Sequence, residues 1–171
     1  MPEDKNLYLT SFKKAWNTTN AHHMIIMSCN IPGSDEPNWN CKPHSKTSKP
    51  ACLDQTNFIF SWAMEAPGFV MPPDTSFKVG RDAPNTQYLI LQVHYKNADK
   101  FDKEENLLDD SGFEIDVKTK PTKFSVGILL SETGGTIPPN SLVYLEALCQ
   151  ENPTVPLTPI AFRVHAHRLC K

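Results

Sequence analysis

Residues 112–118, G-F-E-I-D-V-K, alternate apolar and polar side chains strictly. Successive side chains on a strand point to opposite faces, so this pattern predicts a half-exposed strand. Residues 86–95 carry β-branched and aromatic side chains in an unbroken run and predict the clearest strand of the chain. Residues 21–29, A-H-H-M-I-I-M-S-C, predict another, with Ile25, Met27 and Cys29 on one face and Met24 and Ile26 on the other. Residues 6–12, N-L-Y-L-T-S-F, read as a strand with imperfect alternation. Further strands are expected at 58–64, 76–80, 124–130, 141–149 and 160–169. A 3.6-residue apolar period is almost absent, and only the charged stretch 99–110 is suited to a short helix.

Proline punctuates the runs, with 15 in the chain. Pro32, Pro37, Pro43 and Pro50 fall within residues 30–52 and exclude a regular element there. Eight or nine short strands joined by long Pro/Cys-rich loops predict an all-β fold, an antiparallel β-sandwich of jelly-roll type rather than a closed barrel. A length of 171 residues supports one substantial core, and two would be cramped. The last predicted strand, 160–169, has no later strand to pair with, so residues 1–150 read as one domain. Residues 151–171 read as a linker and the first strand of a second, cut short.

A formal charge of −2 with both signs interspersed gives no basic stripe for nucleic acid and no polybasic patch for a membrane surface. No apolar stretch is long enough for a transmembrane helix, and the first residues lack the pattern of a signal peptide. Three of the five cysteines, Cys41 with Cys29 and Cys52, crowd into the proline-rich excursion. The spacing is neither C-x-x-C nor that of a zinc knuckle, so disulfides and an oxidising compartment are expected. The sequon Asn17-Thr18-Thr19 agrees with a secreted glycoprotein. An odd cysteine and an absent signal are both reconciled if sequence is missing from the ends.

The candidate chemistry lies in the histidines. His22, His23, His94, His165 and His167 fall in or beside apolar runs, whereas His44 sits in a polar loop. A lone histidine in such a run is more often a packed, hydrogen-bonded core residue than a ligand. Five together shift that balance. Arg163, His165 and His167 share one strand face, as do Gln92 and His94. His22 and His23 are adjacent, and a regular strand would send them to opposite faces unless it is bulged. Imidazoles without neighbouring acids suit zinc or copper rather than calcium or magnesium. The hydrolase signatures H-E-x-x-H and G-x-S-x-G are absent.

The stretches H-H-M-I-I-M-S-C (22–29), L-Q-V-H-Y (91–95) and R-V-H-A-H (163–167) resemble the copper type II, ascorbate-dependent monooxygenases, in particular their peptidylglycine-hydroxylating branch. S-W-A at 61–63 followed by Pro67, F-K-V-G at 77–80, and Ser111-Gly112 support the resemblance, which covers residues 2–169. It implies an amino-terminal copper domain plus the start of a second. Two copper ions are implied, with ascorbate as reductant. An electron-transfer copper would be held by His22, His23 and His94. A second would be held by His165, His167 and a methionine that has no counterpart in this sequence. Arg163 would pair with the carboxylate of a glycine-extended peptide, and Gln92 would lie between the sites. Dioxygen would be the co-substrate, and the glycine α-carbon would be hydroxylated, the first step of peptide amidation. The resemblance further implies a Cys29–Cys52 disulfide, leaving Cys41, Cys149 and Cys170 unassigned, and a place in the secretory pathway.

Two departures occur: Cys170 where the family usually has glycine, and Thr158 where it usually has a histidine that is not a ligand. The sister branch, dopamine beta-monooxygenase, typically has glutamine at the place of Arg163 and glutamate at that of Gln92, so both residues favour a peptide substrate. A hydroxylase of a small amine is one alternative. A truncated copper-binding module without catalysis is the other, and the chain is expected to fall short of a complete monooxygenase.

Overall fold

β1 (Asn6–Lys14) is the strand on which the larger sheet is assembled. One edge pairs with β7 (Phe113–Lys118), and the other is shared between β5 (Thr75–Gly80) and the two-residue β4 (Phe69–Val70). These three run antiparallel to β1, while β8 (Phe124–Ser125) extends β5 in parallel. In the smaller sheet β2 (Ala21–Cys29) lies between β3 (Asn57–Ala63) and β6 (Tyr88–Tyr95), antiparallel to both. The only helix among the described residues is α1 (Asp99–Lys103), within the stretch the charge pattern indicated. No helix among them is long and apolar enough to cross a membrane. This computed structural model describes residues 5–15, 20–41, 46–64, 66–103, 107–150 and 153–164, apart from the Asp102 side chain.

The two sheets meet in an apolar cluster, Leu9, Phe12 and Val79 from the larger sheet against Ile26 and Ile59 from the smaller. Phe60 of β3 stacks on Phe12 at 4.7 Å and meets Phe113 of β7 edge-on at 5.6 Å. Such aromatic pairs add about 0.5–1.5 kcal/mol beyond the area they bury. Both geometries cross between sheets, so Phe60 fixes how the layers face. The all-β sandwich read from the sequence is thereby observed.

The imperfect alternation of β1 has a physical cause. Leu9 pairs with Val117 and Ser11 with Asp116, leaving Thr10 as an extra residue. This bulge rephases the strand, so Leu9 and Phe12, three positions apart, both enter the core.

The excursion after β2 is closed at its base by a Cys29–Cys52 disulfide with Cα atoms 6.4 Å apart. Beside it, the Leu53 N–H donates to the Ile31 carbonyl and the Gly33 N–H to the Ala51 carbonyl, each at 2.9 Å. A Cβ at position 33 would sit 1.7 Å from the Pro50 carbonyl oxygen, so only glycine permits this approach. The Asp54 carboxylate accepts the backbone N–H groups of Asn30 and Ile31 at 2.9 and 3.0 Å. Burial raises its pKa, but those bonds and one from its own N–H outweigh it and hold the group below its ordinary value.

The chain divides into two compact units, Met1–Ile128 and Leu129–Lys171. All eight strands of the described residues belong to the first. The strand expected at 124–130 shortens to Phe124–Ser125, and those expected at 141–149 and over the described part of 160–169 do not form. A strand exists only as a hydrogen-bonded ladder with a neighbour, and these runs find none among the described residues. Leu142, Tyr144 and Leu148 accordingly remain exposed. In the same unit, the Thr133 hydroxyl donates to the Glu146 carbonyl at 3.2 Å.

Candidate metal centre

His22 and His23 occupy a β-bulge. On β6, Tyr95 and His94 are consecutive, yet their partners on β2 are Ala21 and His23, so His22 is the extra residue. The Lys96 N–H donates to the Asn20 carbonyl at 3.0 Å on one side of the bulge. On the other strand edge the Met64 N–H donates to the His22 carbonyl at 3.1 Å. Ala21 and Met24 are both wholly buried and pack with Trp62 in one cluster. In a regular strand, residues three apart would face opposite ways. The inserted residue brings both to the core and leaves two adjacent histidines off it. The objection that neighbouring imidazoles must diverge is thus removed by backbone geometry.

His23 lies between the other two rings. Its Nδ1 is 3.0 Å from Nδ1 of His22, one nitrogen donating and the other accepting according to tautomer. Its ring centroid is 4.1 Å from that of His94 at a 32° tilt. His22 and His94 are exposed and His23 is half-buried. Two ligands each about 2 Å from one ion stand roughly 2.8–3.3 Å apart, so the His22–His23 separation suits a shared ion. His94 is nearby but is not closed onto the same point. Among the described residues, the one trio of His, Cys or carboxylate groups with all ligand atoms within 4.8 Å is Cys29, Cys52 and Asp54. There the sulfurs are bonded to each other, which removes both thiolates.

Gln92 pairs with Ile25 and lies two residues from His94 on the same face of β6, exposed. Arg163 is an exposed residue of the second unit. His165, His167, Asn17, His44 and Cys170 lie outside the described residues. Cys41 and Cys149 are exposed free thiols.

A polar cluster at the histidine end of β2 and β6 was not singled out by the sequence reading. The Asp109 carboxylate accepts from Tyr95 Oη at 3.0 Å, Asn20 Nδ2 at 3.2 Å and Ser111 Oγ at 2.8 Å. It also accepts the Ser111 backbone N–H at 3.3 Å, the local turn that an Asp-x-Ser sequence favours. Lys100 Nζ donates to the Asn20 carbonyl oxygen of the side chain, and Phe101 lies 5.0 Å from the Tyr95 ring. Burial raises the Asp109 pKa, but the Ser111, Asn20 and Tyr95 bonds lower it further, so the carboxyl stays below its ordinary value. Tyr95 moves upward, through burial first, then its bond to Asp109 and that carboxylate's charge.

An all-β sandwich with imidazoles gathered on a bulged strand defines a candidate copper- or zinc-binding class. Residues 1–102 match the family described as "Copper type II ascorbate-dependent monooxygenase, N-terminal domain", and the chain belongs to that family. The resemblance drawn from the histidine motifs is therefore borne out. The chain is 33% identical over 172 residues to peptidyl-glycine alpha-amidating monooxygenase A of Xenopus laevis, covering 99% of this chain and 17% of the relative. It is 30% identical over 172 residues to peptidylglycine alpha-amidating monooxygenase of Rattus norvegicus, covering 100% and 17%. Dopamine beta-hydroxylase of Equus caballus is 28% identical over 160 residues, covering 90% of the chain and 25% of that protein. The chain thus spans 17% of the length of the first two of these relatives.

Proposed function

We propose that this chain supplies the electron-transfer copper site of a monooxygenase that hydroxylates the α-carbon of C-terminal glycine in glycine-extended peptides. The observation carrying this reading is the bulge at His22, which leaves His22, His23 and His94 together at one end of the β2–β6 pair. Three imidazoles form a donor set suited to copper in both common oxidation states. Copper held by these three residues would supply one-electron redox chemistry, with ascorbate as the reductant. The chain's own part is to hold three neutral nitrogens in place, with the disulfide anchoring the far end of β2.

His165 and His167 are assigned to a second copper and Arg163 to the peptide carboxylate, a bidentate pairing that guanidinium geometry favours. Gln92 is assigned to the space between the coppers. In this reading residues 1–150 form the first copper domain and 151–171 open the second. Dioxygen is the co-substrate, and the disulfide supports a place in the secretory pathway. Relatives whose names specify peptidyl-glycine align over 99% or more of the chain, against 90% for dopamine beta-hydroxylase, which favours the peptide over a small amine.

The test is to load the protein with copper and add ascorbate anaerobically, following the Cu(II) electron paramagnetic resonance signal. Oxygen is then admitted with either a dansylated peptide ending in glycine or phenethylamine. Loss of signal on ascorbate is expected from this chain, and hydroxylation of the peptide rather than phenethylamine from the monooxygenase in which it supplies the first site. Preferential hydroxylation of phenethylamine would move the assignment to the amine branch. Copper that ascorbate cannot reduce would leave a non-catalytic binding module.

A further inference from the structure

We infer that Asp109 is a positioning residue for the His22–His23–His94 cluster, acting through the two strand ends that carry it; this rests on the reading of that trio as a copper site. Its carboxylate bonds directly to Asn20, two residues before His22, and to Tyr95, one residue after His94. Those partners flank the register step in which Ala21 faces Tyr95 and His23 faces His94. The step inserts His22 on the side of His23. A single carboxylate therefore ties together the two backbones whose relative offset decides whether the imidazoles converge.

The clamp is itself held. Ser111 closes a turn on Asp109 through its hydroxyl and its N–H, fixing the carboxylate at the entrance to β7. Lys100 of α1 bonds to Asn20, and Phe101 packs beside Tyr95, so the helix braces both of the carboxylate's strand partners. A loosened clamp leaves the sandwich core, centred on Phe12 and Phe60, in place but lets the bulge shift by a fraction of a residue. Groups bonded directly to metal ligands typically change affinity by about 10–100-fold when removed, and a clamp one residue further out falls at the low end of that range.

A comparison carboxylate is available in Asp116, which bonds to Ser11 Oγ at 2.5 Å and Lys13 Nζ at 3.4 Å across β1 and β7. It joins two strands as Asp109 does, but neither strand carries a histidine of the cluster.

The experiment measures Cu(II) affinity by chelator competition, with the electron paramagnetic resonance spectrum of the bound ion, on the full chain and its variants. Asp109→Ala and Tyr95→Phe are each expected to weaken copper by about tenfold and to alter the spectrum. Asp109→Asn, which can still accept from Ser111 and Asn20, is expected to lose less. Asp116→Ala is expected to lower the unfolding midpoint and leave copper affinity unchanged. Tyr95→Phe keeps the test decisive if Asp109→Ala does not fold. Unchanged affinity in Asp109→Ala or Tyr95→Phe, or an equal loss in Asp116→Ala, would overturn the positioning role. His94→Ala is run alongside. If it too binds copper unchanged, the copper reading of the trio has failed and the positioning role falls with it. If only His94→Ala loses copper, the positioning role alone has failed.

Discussion

The Nδ1 atoms of His22 and His23 lie 3.0 Å apart although the residues are neighbours on one strand. A β-strand normally separates adjacent side chains onto opposite faces, and the bulge removes that separation. Which neighbouring side chains meet here is thus a property of backbone register as much as of residue type.

Replacing His22, His23 or His94 singly by alanine is expected to remove one tightly held copper per chain. His44→Ala, in a polar stretch of the sequence, should leave copper content unchanged. Metal analysis after equilibrium dialysis checks this, and equal copper in all four variants would show that the trio is only structural.

Phe12 is wholly buried and stacks on Phe60, so Phe12→Ala should destabilise the fold by about 3–5 kcal/mol, as large-to-small changes in cores do. Urea unfolding measures this directly. A loss under about 1 kcal/mol would mean that the sheets do not meet through this pair.

The Cys29–Cys52 bond closes a span of 23 residues. In the chain-entropy picture such a loop contributes about 3 kcal/mol. The double replacement Cys29→Ser with Cys52→Ser should lower stability by that order and weaken copper, because β2 ends at Cys29. Thiol labelling of the unfolded, unreduced protein should leave these two cysteines unmodified.

Asp54 has a folded pKa below its ordinary value of 3.8. Its stabilising contribution is therefore full above 3.8 and is lost as pH falls through the lower, folded value. Asp54→Asn should lower stability near about pH 7 and flatten the decline at acid pH. Unfolding midpoints measured across acid and neutral pH report both effects, and parallel curves for the two proteins would contradict the assignment.

Much of this was legible in the chain. The run A-H-H-M-I-I-M-S-C yields a strand with the predicted ends, and G-F-E-I-D-V-K yields a half-exposed one. Imperfect alternation in residues 6–12 and the adjacent His22 and His23 hinted at bulges, but an inserted residue such as Thr10 or His22 carries no mark in composition. It is visible only when apolar residues three apart, Leu9 with Phe12 and Ala21 with Met24, are both found buried. The Asp109 cluster was hidden for another reason. Its partners Asn20 and Tyr95 are 89 and 14 positions away, and only the Asp-x-Ser turn is local. The run 141–149 is an apolar, strand-like stretch with no ladder partner among the described residues, and sequence pattern does not encode partners.

The most direct test of the account is diffraction at the copper absorption edge from crystals of the copper-loaded protein. The predicted result is one anomalous peak about 2 Å from a ring nitrogen of each of His22, His23 and His94, with the bulge at His22 retained. A copper-saturated crystal with no peak beside these rings, or with copper held by only two of the three, would contradict it.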